Sequence, residues 1–502
     1  MVMCMKSRVK NLDDLRVLVL NAPYFKKFSR PQRSPAVTKS GTIYFPIWLA
    51  HATGVLLDAG VQAELWDAPA RGIALEDVLD KVSGFAPHLV IMDVVTPSVE
   101  NDLKVIEAIK SRIKTKVFAV GTHPSALPEE TLRGSEALDG LCIGEYDYTV
   151  LDLARWVAGE MKLEEIPGIA YLSDGEVFIT QGRPPIEDLD ALPFVAPIYR
   201  RFLRIDDYFN PNALYPMVTI NSGRGCPNGC TFCVYPQTMH GRRYRFRSPE
   251  NVALEMEYVI RHFPNAKSIF FEDDTLPADK SRCIDFCELV KRRGIKFPWT
   301  ANCRVDVDYE TLRAMKKGGC RMVCVGFESG EQSLLDAIHK GTTVEMMHTF
   351  ARDARRAGIL VHGCFMVGLP GETRESMQKT LDLALELSPD TAQFYPIMVY
   401  PGTEIYDQYQ SDGFLTVDRY SDWLTDEGLH NCVVRAGDIT GEELVEWCDE
   451  ARQKFYLRPT YVARKALQMI RHPSEISRTK KAARTFFKYL FRGTFGRKRD
   501  AT

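Results

Sequence analysis

The chain has 502 residues, of which 45% are apolar and 26% charged, with a formal net charge of −2. That length holds two or three domains with sizeable cores, and the composition is that of an ordinary soluble protein. Thirteen cysteines, no N-terminal leader pattern and no run of about 20 apolar residues argue against a disulfide framework or a transmembrane helix, and predict a cytoplasmic chain with reduced thiols and a metal site.

From residue 1 to about 160, five apolar runs alternate with helical patterns. The runs are Arg16 to Leu20, Ala63 to Trp66, Leu89 to Met92, Val117 to Val120 and Gly140 to Ile143. Helices are predicted near 47–59, 74–84, 101–112, 127–135 and 146–158. Such alternation predicts an α/β domain with a parallel sheet covered on both faces, its ligand site beyond the carboxyl ends of the strands. The loops there carry Thr96, then Gly121, Thr122, His123 and Ser125, then Gly144. Hydroxyls, backbone amides and one imidazole suit a polar ligand. The alternative is an empty flavodoxin-like domain that merely packs on its neighbour.

Residues 161–215 read as a connector punctuated by prolines, with a hairpin from Tyr171 to Thr180 turning at Asp174-Gly175. From 216 to 415, six strand–helix units follow, with strands near 217–221, 267–271, 297–302, 322–327, 359–366 and 392–397. Six such units predict a splayed, partial (β/α)6 barrel with its site at the strand carboxyl ends. Directly after the first strand come Cys226, Cys230 and Cys233, spaced C-x3-C-x2-C between glycines and a proline. Thiolates are the ligands iron–sulfur clusters and zinc prefer, and three protein ligands leave a metal position open. A zinc site completed by His240, or a chance cluster of thiols, would leave the motifs that follow unexplained. Glu272, Asp273 and Asp274 end the second strand, where carboxylates suit an ammonium group, although acidic strand ends are also common as solvated turns. Arg304 ends the third strand, positioned for a bidentate carboxylate contact, and Glu328 ends the fourth. The fifth strand runs through Met366 to Gly368. Cys283, Cys287, Cys320 and Cys324 read as buried core thiols, because tight Cys-x-x-Cys loops are missing.

This combination resembles the radical S-adenosylmethionine (SAM) enzymes, and specifically those preceded by a cobalamin-binding domain. The N-terminal part of the likeness rests on Tyr44-Phe45-Pro46, Trp48-Leu49-Ala50, Asp67-Ala68-Pro69, Thr96-Pro97, the Gly121 to Ser125 loop and Gly144-Glu145. The D-x-H-x-x-G motif of histidine-ligated cobalt is missing, which fits the family's usual arrangement and leaves the lower axial position unassigned. The resemblance implies a 4Fe-4S cluster held by Cys226, Cys230 and Cys233, with SAM chelating its open iron and Phe232 packing near the adenine. It implies SAM contacts from Glu272, Asp273, Asp274 and Arg304, ribose contact from Glu328, and adenine contact from Met366 and Gly368. Cobalamin contacts fall on Thr96, Gly121, Thr122, His123, Ser125 and Gly144. The implied chemistry is a 5′-deoxyadenosyl radical that activates carbon, with methyl transfer from cobalamin to a small-molecule or lipid-linked substrate. An electron donor such as flavodoxin or ferredoxin would feed the cluster. Rival readings are a cyclase, ring-contracting enzyme or oxidase that keeps cobalamin, similar to the anaerobic porphyrin cyclases and hopanoid-assembly enzymes, and a non-catalytic cobalamin or redox sensor.

Residues 416–460, with Trp423 and Trp447 among acidic helical segments, are expected to form a lid over the barrel mouth. The whole region 416–502 reads as mostly helical. Beyond Tyr461, twelve Lys and Arg face two carboxylates, a local charge of +10, so the remaining chain carries −12. Phe486, Phe487, Tyr489, Leu490, Phe491 and Phe495 interleave with those cations. Three readings stay open: contact with an anionic membrane at its inner face, docking on the acidic body, and nucleic-acid binding as the least favoured.

Overall fold

A computed structural model describes residues 11–471, so most of the basic, aromatic tail lies outside the described residues. The first sheet contains β1 (Arg16–Asn21), β2 (Gln62–Asp67), β3 (Leu89–Asp93), β4 (Lys116–Val120), β5 (Gly140–Cys142), β6 (Ile169–Ser173) and β7 (Glu176–Ile179). Its order is β2-β1-β3-β4-β5-β6-β7; the first five strands are parallel, and the last two are added antiparallel. The parallel portion is the flavodoxin-like winding, with its switch point between β1 and β3. Alternation along β1 feeds two cores. Val17 and Val19 face one, and Leu18 and Leu20 the other.

The connector hairpin is β6 and β7, and it belongs to this sheet. β5 pairs over only two residues on that side, through Leu141 and Cys142, and β6 supplies buried Ile169 and Ala170 to cover them.

The second sheet is six-stranded and wholly parallel. Its strands are β8 (Met217–Ile220), β11 (Ser268–Phe271), β12 (Trp299–Cys303), β13 (Cys320–Glu328), β14 (Leu360–Val367) and β15 (Thr391–Pro396), hydrogen-bonded in sequence order. β8 and β15 do not pair, so the barrel stays open. Between β8 and β11 a two-stranded ribbon, β9 (Gly223–Arg224) and β10 (Arg245–Phe246), closes the base of the cysteine loop.

One core runs through both units. The helix Ile47–Asp58 is buried over most of its length, and Gly54 lies so close to Pro193 that an added Cβ would sit 2.9 Å from it. That core joins Val17 of β1 to Val218 of β8. Two ion pairs cross the same boundary. Arg224 Nη1 and Nη2 donate to Asp147 at 2.7 and 2.9 Å, while Arg245 donates to Glu145 at 2.9 Å. All four side chains are buried, and Arg224 lies 5.1 Å from the Trp48 ring centroid.

The region after the barrel differs from expectation. Residues 416–440 are irregular and held by isolated bridges, and Trp423 is buried with its indole N–H donating to Val399 O. The helix Gly441–Tyr456 runs down the side of β15, from Leu444 beside Gly368 to Tyr456, whose hydroxyl bonds Ala392 N and O. This region is a brace along the barrel wall. Among the described residues, no helix is long and apolar enough to cross a membrane.

Removing one member of a buried, bidentate pair strands the other charge. Asp147→Ala should therefore cost about 3–5 kcal/mol of stability, read as a drop in the denaturant midpoint of the full chain. Replacing both members, as Asp147→Leu with Arg224→Met, should recover most of that loss.

Candidate active site

The cysteine loop is positioned from its base. Gly225 adopts φ +84°, and a Cβ there would lie 2.2 Å from Arg243 O, so only glycine fits where the loop leaves β9. Cys226 N donates to Gly241 O and Thr231 N to Ile338 O, which ties the loop both to itself and to the segment after β13. Gln237 Nε2 donates to Thr231 O and Cys233 O, holding the turn that carries the last thiol.

Charge around the thiols favours ionisation of one of them, Cys230. A hydrogen bond from Cys233 and the nearby Lys340 and Arg304 cations hold Cys230 below the usual thiol range, against its burial. The same bond, with burial, pushes Cys233 well up, and burial also raises Cys226. Arg304 Nη1 lies 3.7 Å from Cys230 Sγ, and Arg304 Nη2 donates to Lys340 O at 2.7 Å. Arg304 therefore serves the thiol loop here. Phe232 is half-buried, with Lys340 Nζ 5.7 Å from its ring centroid.

His240 does not join the thiols in a four-ligand set. It packs on Trp48 and Tyr235, and its Nδ1 lies 3.9 Å from Asp274. Among the described residues, no three His, Cys, Asp or Glu side chains converge on a single-ion site.

The acidic triplet after β11 splits into two directions. Asp273 turns back toward β8, accepting from Ser222 N at 2.7 Å, Ser222 Oγ at 2.6 Å and Tyr244 OH at 3.0 Å. Glu272 and Asp274 turn the other way and meet a residue the sequence reading missed. Arg33, half-exposed on the arm between β1 and the helix Ile47–Asp58, donates to Glu272 at 2.8 Å, Asp274 at 3.2 Å and Asp273 O at 3.1 Å. Burial raises Glu272 to about 7 despite Arg33, and its Oε2 is buried without a partner. His240 and Arg33 hold Asp274 below the carboxylate range against its burial.

The arm is fixed from three sides. Arg30 pairs with Asp102 in full burial, Tyr235 OH donates to Pro31 O, and Val37 N donates to Gly428 O.

At the end of β13, Glu328 sits at φ +66°, an unusual conformation for a non-glycine residue. Its Oε1 accepts from Lys340 Nζ at 2.7 Å, and its Oε2 is buried and unpaired. A Cβ on Gly326 would lie 2.0 Å from that carboxylate, so Gly326 makes room for the pair. Met366 is buried, and Gly368 O accepts from Tyr409 OH while Gly368 packs on Leu444.

The N-terminal loops form one hydrogen-bonded collar at the ends of β3, β4 and β5. Thr96 Oγ1 and His123 Nδ1 are 3.1 Å apart; Ser125 Oγ donates to Gly121 O at 2.7 Å and accepts from Gly144 N at 3.0 Å. His123 is 1% exposed, packs edge-on to Tyr420, and is lowered to about 3 by burial, so it is a neutral loop residue turned away from solvent. Gly121 has φ +114°, and a Cβ there would meet Asp93 at 2.4 Å. Thr122 stands half-buried at the start of the next helical turn. Ser125 Oγ also lies 3.5 Å from Met239 Sδ, beside the cysteine loop. The N-terminal collar thus touches the segment after the cysteine loop.

The residues present fit the groups that the sequence implies. Three thiols with adjacent cations suit an iron–sulfur cluster, orphaned carboxylate oxygens on Glu272 and Glu328 suit the donors of SAM, and the hydroxyls and backbone amides of the collar suit a polar cofactor.

Residues 220–384 match the Radical SAM superfamily, and residues 33–154 match the B12 binding domain. Over 432 residues the chain is 30% identical to an uncharacterized methyltransferase of Pyrococcus horikoshii, covering 86% of this chain and 91% of that protein. It is 28% identical over 376 residues to the anaerobic magnesium-protoporphyrin IX monomethyl ester cyclase of Rubrivivax gelatinosus, covering 72% of this chain and 66% of the cyclase. In fold it is similar to the radical S-adenosylmethionine methyltransferase TsrM from Kitasatospora setae, solved with cobalamin and a 4Fe-4S cluster bound. The TM-score is 0.64 at 18% identity, over 86% of this chain and 84% of that one. The chain thus belongs to the radical SAM superfamily proteins that carry a B12 binding domain, and is a cobalamin-dependent radical SAM enzyme with a 4Fe-4S cluster, SAM and cobalamin as its cofactors.

Proposed function

We propose that this enzyme methylates an unactivated carbon of a small-molecule or lipid-linked substrate held in the barrel mouth. The observation that carries this reading is the contact between the N-terminal collar and the segment after the cysteine loop, where Ser125, bonded to Gly144 N, lies 3.5 Å from Met239 Sδ. The similarity to a methyltransferase over most of both chains points the same way. When bound, the cluster with SAM supplies a hydrogen-abstracting 5′-deoxyadenosyl radical, and cobalamin supplies a methyl group.

The chain's own residues would then bind, orient and exclude water. Cys226, Cys230 and Cys233 would hold three irons of the cluster, with Arg304 and Lys340 offsetting the thiolate charge. Glu328 Oε2 would accept from the SAM ribose, and Lys340 fixes that carboxylate by occupying its other oxygen. Glu272 and Asp274 would accept from the SAM ammonium group, and Arg33 sets their orientation from across the domain boundary. Met366 and Gly368 would line the adenine side, with Phe232 opposite. Thr96, Gly121, Thr122, Ser125 and Gly144 would hold the cobalamin, with His123 acting through Thr96.

Incubation of the reconstituted enzyme with methyl-deuterated SAM and an extract of cells lacking the protein should yield a product heavier by a labelled methyl group. A product that gains no methyl carbon would instead support the cyclase-like reading, which the Rubrivivax gelatinosus relative favours. Cys226→Ala, Cys230→Ala and Cys233→Ala should each abolish SAM cleavage and remove most of the iron and its visible absorption after anaerobic reconstitution. Cys283→Ala and Cys320→Ala, at buried core sites, should retain both. Glu328→Gln should keep the cluster and weaken SAM binding by roughly tenfold or more, the scale of a lost charge-assisted hydrogen bond.

A further inference from the structure

The last described helix, Pro459–Arg471, is built inside out. Its cations face the protein. Arg464 donates to Ser388 O and Pro389 O at 2.7 Å, and Lys465 is buried against Tyr461. Just before this helix, Arg458 donates to Leu385 O. These carbonyls belong to the C-terminal end of the helix Arg374–Leu387 and the turn after it, where cations satisfy unpaired acceptors and the negative pole of the helix.

With its cations turned inward, the helix shows an apolar face to solvent. Val462 is 55% exposed, Leu467 45% and Ile470 76%, and Ala463 and Ala466 are exposed between them. Spacing i, i+1, i+4, i+5 and i+8 keeps all five on one side of the helix. This stripe runs directly toward residues 472–502, which carry nine Lys and Arg against two carboxylates, with Phe486, Phe487, Tyr489, Leu490, Phe491 and Phe495 among them.

We propose that this stripe docks the enzyme on an anionic lipid bilayer. The apolar stripe supplies the area to bury at the headgroup boundary, and the cation-rich segment supplies attraction to anionic headgroups. Neither a soluble protein partner nor the acidic body of the chain calls for both together. The place of the helix sets the orientation. Ser388, Pro389 and Asp390 lead into β15, so the stripe sits at the amino-terminal pole of the barrel, opposite the cysteine loop that follows β8. Docking there places the bilayer at the pole opposite the cysteine loop.

The test uses the full-length, reconstituted protein with phosphatidylcholine vesicles, with and without phosphatidylglycerol. The protein should sediment with the phosphatidylglycerol vesicles, be largely released by high salt, and ignore pure phosphatidylcholine. Val462→Ser, Leu467→Ser and Ile470→Ser together should weaken that partitioning about tenfold or more. All three sites are exposed, so folding, iron content and SAM cleavage should not change. Equal binding to both vesicle types, or binding unaltered by the triple variant, would overturn the proposal. So would a lipid-free dimer in sedimentation velocity that the same variant dissolves, because the stripe would then be a contact between two copies. Tighter binding to duplex DNA than to the anionic vesicles would overturn it as well.

Discussion

The structure depends on two buried arginine–carboxylate pairs at the root of the cysteine loop. Arg224 and Arg245 face each other across the β9–β10 ribbon, and their partners Asp147 and Glu145 lie just after β5, next to Gly144 of the N-terminal collar. Desolvating four charges costs more than a hydrophobic contact of the same size would, so stability alone is a weak reason for them. Bidentate geometry offers direction instead. A guanidinium fork accepts a carboxylate in one plane, and two such forks on a two-stranded ribbon fix rotation as well as distance. Chemistry that involves separate cofactors needs that kind of register, because a misplacement of about 1 Å can cost two orders of magnitude in rate.

The same logic runs through the arm. Arg33 reaches Glu272 and Asp274 across a separation of more than 200 positions in sequence, and every neighbour of the arm is itself anchored. Arg30 draws on Asp102, Pro31 on Tyr235, and residues 34–37 on His430 and Gly428. The N-terminal unit thus contributes a side chain to the mouth of the barrel as well as a collar facing it. Residues 424–430 hold the arm, and the helix Gly441–Tyr456 holds β15.

Much of this was legible in the sequence because local pattern and global fold agree. The helix Val344–Ala357 has a Thr343 cap and a strong apolar stripe, the local signals that mark a helix in a sequence. Each parallel strand reads as a short apolar run because both faces are covered. The hairpin at 169–179 read as a connector because its own pattern is weak, and only the short, uncovered β5 makes it part of a sheet. Residues 416–440 looked helical from their acidic composition, but turns such as Glu427-Gly428 and the burial of Trp423 against Val399 fold them as bridges. At the site, the cysteine spacing was decisive, whereas the acidic triplet could not be divided. Asp273 opposes its neighbours, yet nothing in one sequence says which of the three faces the mouth. Arg33, in a loop of arginines and prolines, carries no local signal at all.

Cysteine chemistry shows how environment selects among identical residues. Cys303 and Cys364 lie in the barrel wall, and burial pushes both thiols well up, so they remain neutral; Cys320 and Cys324 are raised in the same way. Cys230 is equally buried but lies beside Lys340 and Arg304 and accepts a hydrogen bond from Cys233. Those contacts reverse the direction of its shift, and thiolate is the form that binds iron. Spacing alone would let any three close thiols compete for metal. The cations single out Cys230 within the loop at the mouth, and one of them, Lys340, also holds Glu328. Lys340 therefore joins the thiol loop and the Glu328 carboxylate in one charge network, so that a change at Lys340 acts on both.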